Sequence, residues 1–195
     1  MELLFVFLLL QVLSPCLGYA TGAPTSTCND MLPRHSGSQP QPTATPYTIL
    51  TSARTFQAGQ PITVTINGPE YTGILLAARS GTSTDDLGSW KSPPVNTKFL
   101  KCSGNTQGAI THANTIPKNN ATVFTWIPPN NNITVYFKAT IAQQRTVYWV
   151  NIQSEMLTKG SDGIDLASGG HPGMASEGFL QLLAPCLLLS LMLPR

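Results

Sequence analysis

The chain has 195 residues, enough for one medium-sized domain with tails. Only 10 % of them are charged, the formal net charge is +2, and no basic run occurs, which excludes a dedicated nucleic-acid surface. The 42 % apolar content is concentrated at the two ends, so it overstates the core available to the middle.

The first element is the apolar run of residues 3–13, LLFVFLLLQVL, followed by small residues at Gly18 and Ala20. It is shorter than the ~20 residues of a membrane helix, and it reads as a secretory signal peptide over residues 1–20. Its start is atypical, with Glu2 and no Lys or Arg. Residues 21–46 carry Pro24, Pro33, Pro40, Pro42 and Pro46 among Ser, Thr, Gln and Gly, without a period of 2 or 3.6. The segment is expected to be extended coil lying on or beside the domain, with Cys28 as its anchor.

β patterns begin at Tyr47. Residues 47–53 predict a first strand, stopped near Ala58-Gly59. Residues 61–67, PITVTIN, put Ile62, Val64 and Ile66 on one face and Thr63 and Thr65 on the other. Residues 72–79, TGILLAAR, predict a well-buried strand. Residues 80–96 are rich in Gly, Pro and Asp and read as a long surface loop. Residues 97–102, 108–113 and 121–127 follow as shorter strands, the last with Phe124 and Trp126 facing one way.

The strongest pattern comes next. Ile133, Val135, Phe137, Ala139 and Ile141 alternate with Thr134, Tyr136, Lys138 and Thr140. After the polar break Ala142-Gln143-Gln144-Arg145, residues 146–152 are rich in β-branched and aromatic side chains, so the pair predicts an antiparallel hairpin. The second strand alternates poorly, as a strand covered on both faces would. About eight short strands with Gly/Pro turns and no helical period imply an all-β fold, an antiparallel two-sheet sandwich over residues 47–159.

Residues 160–178 lose all pattern and read as a flexible linker. Residues 179–195 form a second apolar run, too short for a comfortable span and ending in Pro194-Arg195. Small residues Ser168-Gly169-Gly170, a spacer over 171–178 and an apolar terminus match a glycolipid-anchor signal, with Ser168 as the attachment residue. Gly163, Gly173 and Ala175 leave spacers of less suitable length. A single tail helix is the alternative, weakened by Pro185 and by the length.

With Cys16 in the leader and Cys186 in the tail, Cys28 and Cys102 remain. In an oxidising compartment they allow one intramolecular bridge. Two free buried thiols suit a secreted chain less well. Asn120-Ala121-Thr122 and Asn132-Ile133-Thr134 are N-glycosylation acceptors, both at turn-to-strand boundaries.

Catalytic constellations find little support. His35, His112 and His171 stand far apart and in no catalytic spacing, so His112 reads as a surface or hydrogen-bonded core histidine rather than a metal ligand. There is no G-x-S-x-G elbow, zinc-protease helix pair or phosphate-binding glycine loop. Asp85-Asp86 reads as solvated surface before it reads as a cation or acid/base site, and Lys91, Lys98 and Lys101 read as ordinary solvated charges.

Several pieces in order give the chain a family likeness. They are Cys28 with Met31-Leu32-Pro33-Arg34-His35, then Phe56-Gln57-Ala58-Gly59-Gln60, then Gly73-Ile74-Leu75-Leu76-Ala77-Ala78-Arg79. Cys102 before Thr111-His112 and Tyr148-Trp149-Val150-Asn151-Ile152 complete the set. Over residues 22–159 the chain resembles the reeler (reelin-like N-terminal) domain, in the form found in ferric-chelate reductase-like proteins and in small secreted defence-type proteins. The resemblance implies an immunoglobulin-like β-sandwich and brings no settled catalytic residues with it. The reductases' haem-binding membrane domain has no counterpart here, so neither their activity nor a cofactor is carried over. The expected function is non-catalytic binding outside the cell, on a surface reached through a lipid anchor or tail helix. Its partner would be an extracellular protein, a glycan or a microbial surface ligand. A soluble defence protein and a redox accessory without haem domains are the alternatives.

Overall fold

The computed structural model describes residues 19–160. Cys16, Cys186, His171, Ser168, the linker beyond Gly160, the apolar tail and all but the last two residues of the expected leader lie outside them. Among the described residues no helix is long and apolar enough to cross a membrane.

Eleven strands form among these residues. β1 (Thr48–Thr51), β3 (Ile62–Asn67), β8 (Val123–Ile127) and β5 (Ser89–Lys91) make an antiparallel sheet in the order β1-β3-β8-β5. The larger sheet runs β2 (Thr55–Phe56), β11 (Leu157–Lys159), β9 (Thr134–Gln144), β4 (Gly73–Arg79), β7 (Asn105–His112), β6 (Thr97–Cys102). β10 (Val147–Gln153) also pairs with β9, on the edge that β9 shares with β11. Every pairing is antiparallel except the short one between β2 and β11.

Alternation places the core between the sheets. Val64 and Ile66 of β3 and Phe124 and Trp126 of β8 face Leu76, Phe137, Ala139 and Ile141 across the sandwich, all essentially inaccessible. Aromatic rings meet edge to face at its centre, with Trp126 and Phe137 centroids 5.2 Å apart at 89°. Both central indoles satisfy their N–H on main chain, Trp90 on the Gly108 carbonyl at 3.2 Å and Trp126 on the Leu87 carbonyl at 2.8 Å.

The strands that alternation missed are the shortest. The expected surface loop over residues 80–96 contains β5, whose Trp90 is fully buried. Three residues are too few to display a period, and Ser89 and Lys91 flank the indole with polar groups. β2 and β11 escaped for the same reason. The expected polar break at 142–145 is largely strand, because Ala142 still pairs with Gly73 and Gln144 with Val147. The turn shrinks to Arg145-Thr146.

A third layer covers the outer face of the larger sheet. β4 is buried at all seven positions. Ile74, Leu76 and Ala78 enter the central core, while Leu75 and Ala77 turn outward into a second cluster with Cys28, Met31, Leu100, Cys102 and Ala109. The cover is the proline-rich N-terminal segment, which carries one short 3-10 turn, Thr25–Thr27. It docks through main-chain polar groups: Ala23 N–H donates to Thr111 Oγ1 at 2.8 Å, and Thr140 Oγ1 donates to the Met31 carbonyl at 2.5 Å. Tyr148 Oη donates to the Ser38 carbonyl at 3.1 Å. Cys28 and Cys102 are bonded to each other, with Cα atoms 5.6 Å apart.

The bridge spans 74 residues of chain, and closing a loop of that size in the unfolded state is worth about 4 kcal/mol. Replacing both Cys28 and Cys102 by Ala is therefore expected to lower the unfolding free energy by about that amount in urea titrations. An unchanged midpoint would show that the N-terminal layer holds without the covalent link.

Candidate functional site

Two features of the outer layer carry charged or accessible side chains. The first is closed. Arg79, the last residue of β4, shares the outward parity of Leu75 and Ala77, and its side chain is 2 % exposed. Its guanidinium donates to the carbonyls of Cys28 and Thr84 and pairs with Asp86 at 3.0 Å. The Asp86 main-chain N–H donates to Ser103 Oγ at 3.0 Å, tying the 80–88 loop to the β6–β7 turn.

Asp86 is thus not the solvated loop acid that its sequence context suggests. Its carboxylate is fully buried, whereas Asp85 stays exposed. Burial pushes the Asp86 carboxyl up to about 6, against the opposing pull of Arg79. Cys28, Asp86 and Cys102 also bring three potential ligand atoms within 4.8 Å of one another. The two sulfurs are bonded to each other and present no thiolate, so this cluster is a structural clamp.

The second feature is open. Where β4 begins and β7 and β9 end, the N-terminal segment stands away from the sheet and leaves a groove of about 380 Å³. Gly73, Leu75 and Ala142 form its floor, and Met31, Leu32 and Pro33 its opposite wall. A Cβ on Gly73 would lie 3.2 Å from the Ala142 Cβ and 3.7 Å from His112 Cε1, so the missing side chain keeps the floor low.

His112 stands at one end, half-buried. The Ile74 N–H donates to its Nδ1 at 3.3 Å, and Nε2 donates to the Tyr19 carbonyl at 2.7 Å, a neutral imidazole occupied at both nitrogens. Burial lowers its pKa below the usual histidine value. At the other end Arg145 donates through Nη2 to the Ser36 carbonyl at 2.8 Å, while its own carbonyl accepts from His35 Nδ1 at 2.7 Å. His35 also stacks edge-on against Tyr148, centroids 5.4 Å apart. The fold therefore brings His35 and His112 to one groove but commits both to main-chain bonds.

Sequence reasoning missed Lys118. It is 3 % exposed and donates to the carbonyls of Thr72 at 2.9 Å, Ile116 at 2.9 Å and Asn114 at 3.1 Å, folding the 113–118 loop onto the start of β4. Burial lowers its pKa. Of the three other lysines considered, Lys91 belongs to the smaller sheet and Lys98 and Lys101 to the larger. Asn120 and Asn132 are both exposed, in the turns that precede β8 and β9.

With this geometry in hand, comparison with known proteins places the chain. Residues 26–163 match the family model for the Reeler domain. The chain is 41 % identical over 146 residues to the Hdd11 protein of Hyphantria cunea, covering 70 % of this chain and 86 % of that one. It is 35 % identical over 150 residues to defense protein l(2)34Fc of Drosophila melanogaster, covering 72 % and 92 %. It is also 32 % identical over 165 residues to ferric-chelate reductase 1 of Bos taurus, but that match spans only 26 % of the reductase. Among solved structures, the human F-spondin reeler domain superposes with a TM-score of 0.52 at 18 % identity, covering 64 % of this chain and 96 % of that one.

The buried clamp generates an expectation in two parts. Arg79→Met leaves a buried carboxylate and two carbonyls without their donor and is expected to cost about 3–5 kcal/mol, most of it recovered on adding Asp86→Leu. The pH part follows from the raised Asp86 pKa. Between about 4 and about 6 the folded state binds the extra proton, so this group's contribution is present below the unfolded value of 3.8 and is lost as pH rises through about 6. His112, with its lowered pKa, contributes in the opposite sense. The readout is therefore the difference in urea midpoint between wild type and Asp86→Asn, which cancels the histidine. A difference that is flat from pH 4 to 7 would contradict the assignment.

Proposed function

Since the chain belongs to the Reeler domain family, we propose that it is a non-catalytic binding protein of the extracellular space, displayed on the cell surface by a glycolipid joined at Ser168 and glycosylated at Asn120 and Asn132. The observation that carries the reading is the groove. It is accessible and mostly apolar, and both of its histidines are bonded to main chain, His35 at the Arg145 carbonyl and His112 at the Ile74 N–H. Such a surface recognises and does not react.

The position of Gly160 supports display. Gly160 follows β11, which pairs with Val135 and Thr134 at the start of β9, whereas the groove lies at the far end of that strand, around Ala142 to Arg145. At roughly 3.3 Å per residue the two ends of β9 are about 30 Å apart. Gly160, the last described residue, and the groove thus lie toward opposite ends of that strand. The exposed amides of Asn120 and Asn132 leave room for glycans.

A second reading, a soluble defence protein, is favoured by the extent of the match to the insect defense proteins, which covers most of their length. The two readings part at the tail. Treating expressing cells with phosphatidylinositol-specific phospholipase is expected to release the full chain, with Ser168→Trp impairing its delivery to the surface. Abundant lipid-free protein in the medium before treatment would favour the soluble form, and complete retention after treatment would defeat the glycolipid. Asn120→Gln and Asn132→Gln are each expected to remove one glycosidase-sensitive step in gel mobility.

A further inference from the structure

The groove is apolar on its floor, yet the charged and imidazole side chains along it are Arg34, His35, His112 and Arg145, with no carboxylate among the lining residues. Three of these are already engaged. Arg34 pairs with Asp30 at 2.8 Å, just outside the groove, and both imidazoles are bonded to main chain. Arg145 differs. One terminal nitrogen donates to Ser36, but its Nε–H is buried and makes no hydrogen bond among the described residues. A buried guanidinium donor without an acceptor is costly.

An apolar trough beside one cation that has no carboxylate partner among the described residues selects a ligand with one chain and one negative charge. We propose that the groove binds a single-chain fatty carboxylate, its acyl chain along Gly73, Leu75 and Ala142 beneath Met31 and its head group on Arg145. The volume favours one chain over two, since 380 Å³ is near the lower end of small-ligand pockets, which run roughly 300–1,000 Å³. A planar carboxylate matches the fork of the guanidinium's terminal nitrogens, and a monoanion balances a site whose other arginine is neutralised by Asp30. This ligand class rests on the reading of the chain as a binding module but requires neither the anchor nor the glycans.

The test uses the full chain from a eukaryotic secretory host, stripped of copurifying lipid, titrated calorimetrically with dodecanoate below its micellar range. One-to-one saturable binding is expected, with 1-dodecanol about tenfold weaker. Decanoate should also be about tenfold weaker, for the loss of two buried methylenes. Arg145→Met should weaken dodecanoate about tenfold and leave dodecanol unchanged, with Arg145→Lys intermediate. Ala142→Phe, which fills the floor, should abolish binding of both. Should that variant fold poorly, chemical-shift changes in the wild type on adding dodecanoate serve instead. They should fall on the methyl groups of Ala142, Met31 and Leu75.

Absence of saturable binding would overturn the proposal. So would equal affinity for acid and alcohol, or shifts confined to residues outside the groove. Failure here with phospholipase release intact would overturn this ligand while leaving surface display standing.

Discussion

Strand β4 has no solvent face, and the rest of the outer layer answers to that fact. A strand whose Leu75 and Ala77 point away from the central core needs a second apolar cover, or it exposes them at a cost of about 25 cal/mol per Å². The cover available is a proline-rich segment whose regular structure is limited to the 3-10 turn Thr25–Thr27, too little to cohere by itself. It is held instead from outside, by the Cys28–Cys102 bond, by the Arg79 guanidinium on the Cys28 carbonyl, and by hydroxyls of the sheet reaching its main chain. The buried ion pair is part of that holding. Arg79 sits where a third outward apolar side chain would stand, and it exchanges packing for polar contacts to two separate pieces of chain, the N-terminal segment and the 80–88 loop.

The groove is a by-product of the same arrangement. Near Cys28 the segment is clamped closely to the sheet. Toward the start of β4 the contacts fall to small residues, Gly73 and Ala142, and the two layers separate. Both histidines there are bonded to main chain, Arg34 is paired with Asp30, and Arg145 Nε has no partner among the described residues. The groove therefore lies toward one end of the sandwich, and Gly160, the last described residue, toward the other.

How much of this could be read from residue order alone depends on length of signal. β9 and β3 announced themselves because eleven and six residues suffice to show a period of two. The run from Gly73 to Ala78 betrayed its burial by having no polar positions at all. Trp90 could not be placed, because one indole between Ser89 and Lys91 has no neighbours to alternate with. Asp86 was unreadable for a different reason. Its fate is set by Arg79 and Ser103, the latter on another turn, and no local pattern reports a contact across the fold. A charged residue closing an apolar run, as Arg79 does, was the one available hint. The groove had no local signature, since its floor, wall and rim come from four separate stretches.

The bond from His112 Nε2 to the Tyr19 carbonyl makes the polarity of the groove mouth depend on the residue at which the folded chain starts. A chain starting at Tyr19 keeps the imidazole engaged. One starting at Thr21 would lack that carbonyl and bare an N–H at the mouth. The same sandwich would then carry either of two openings that differ in polarity.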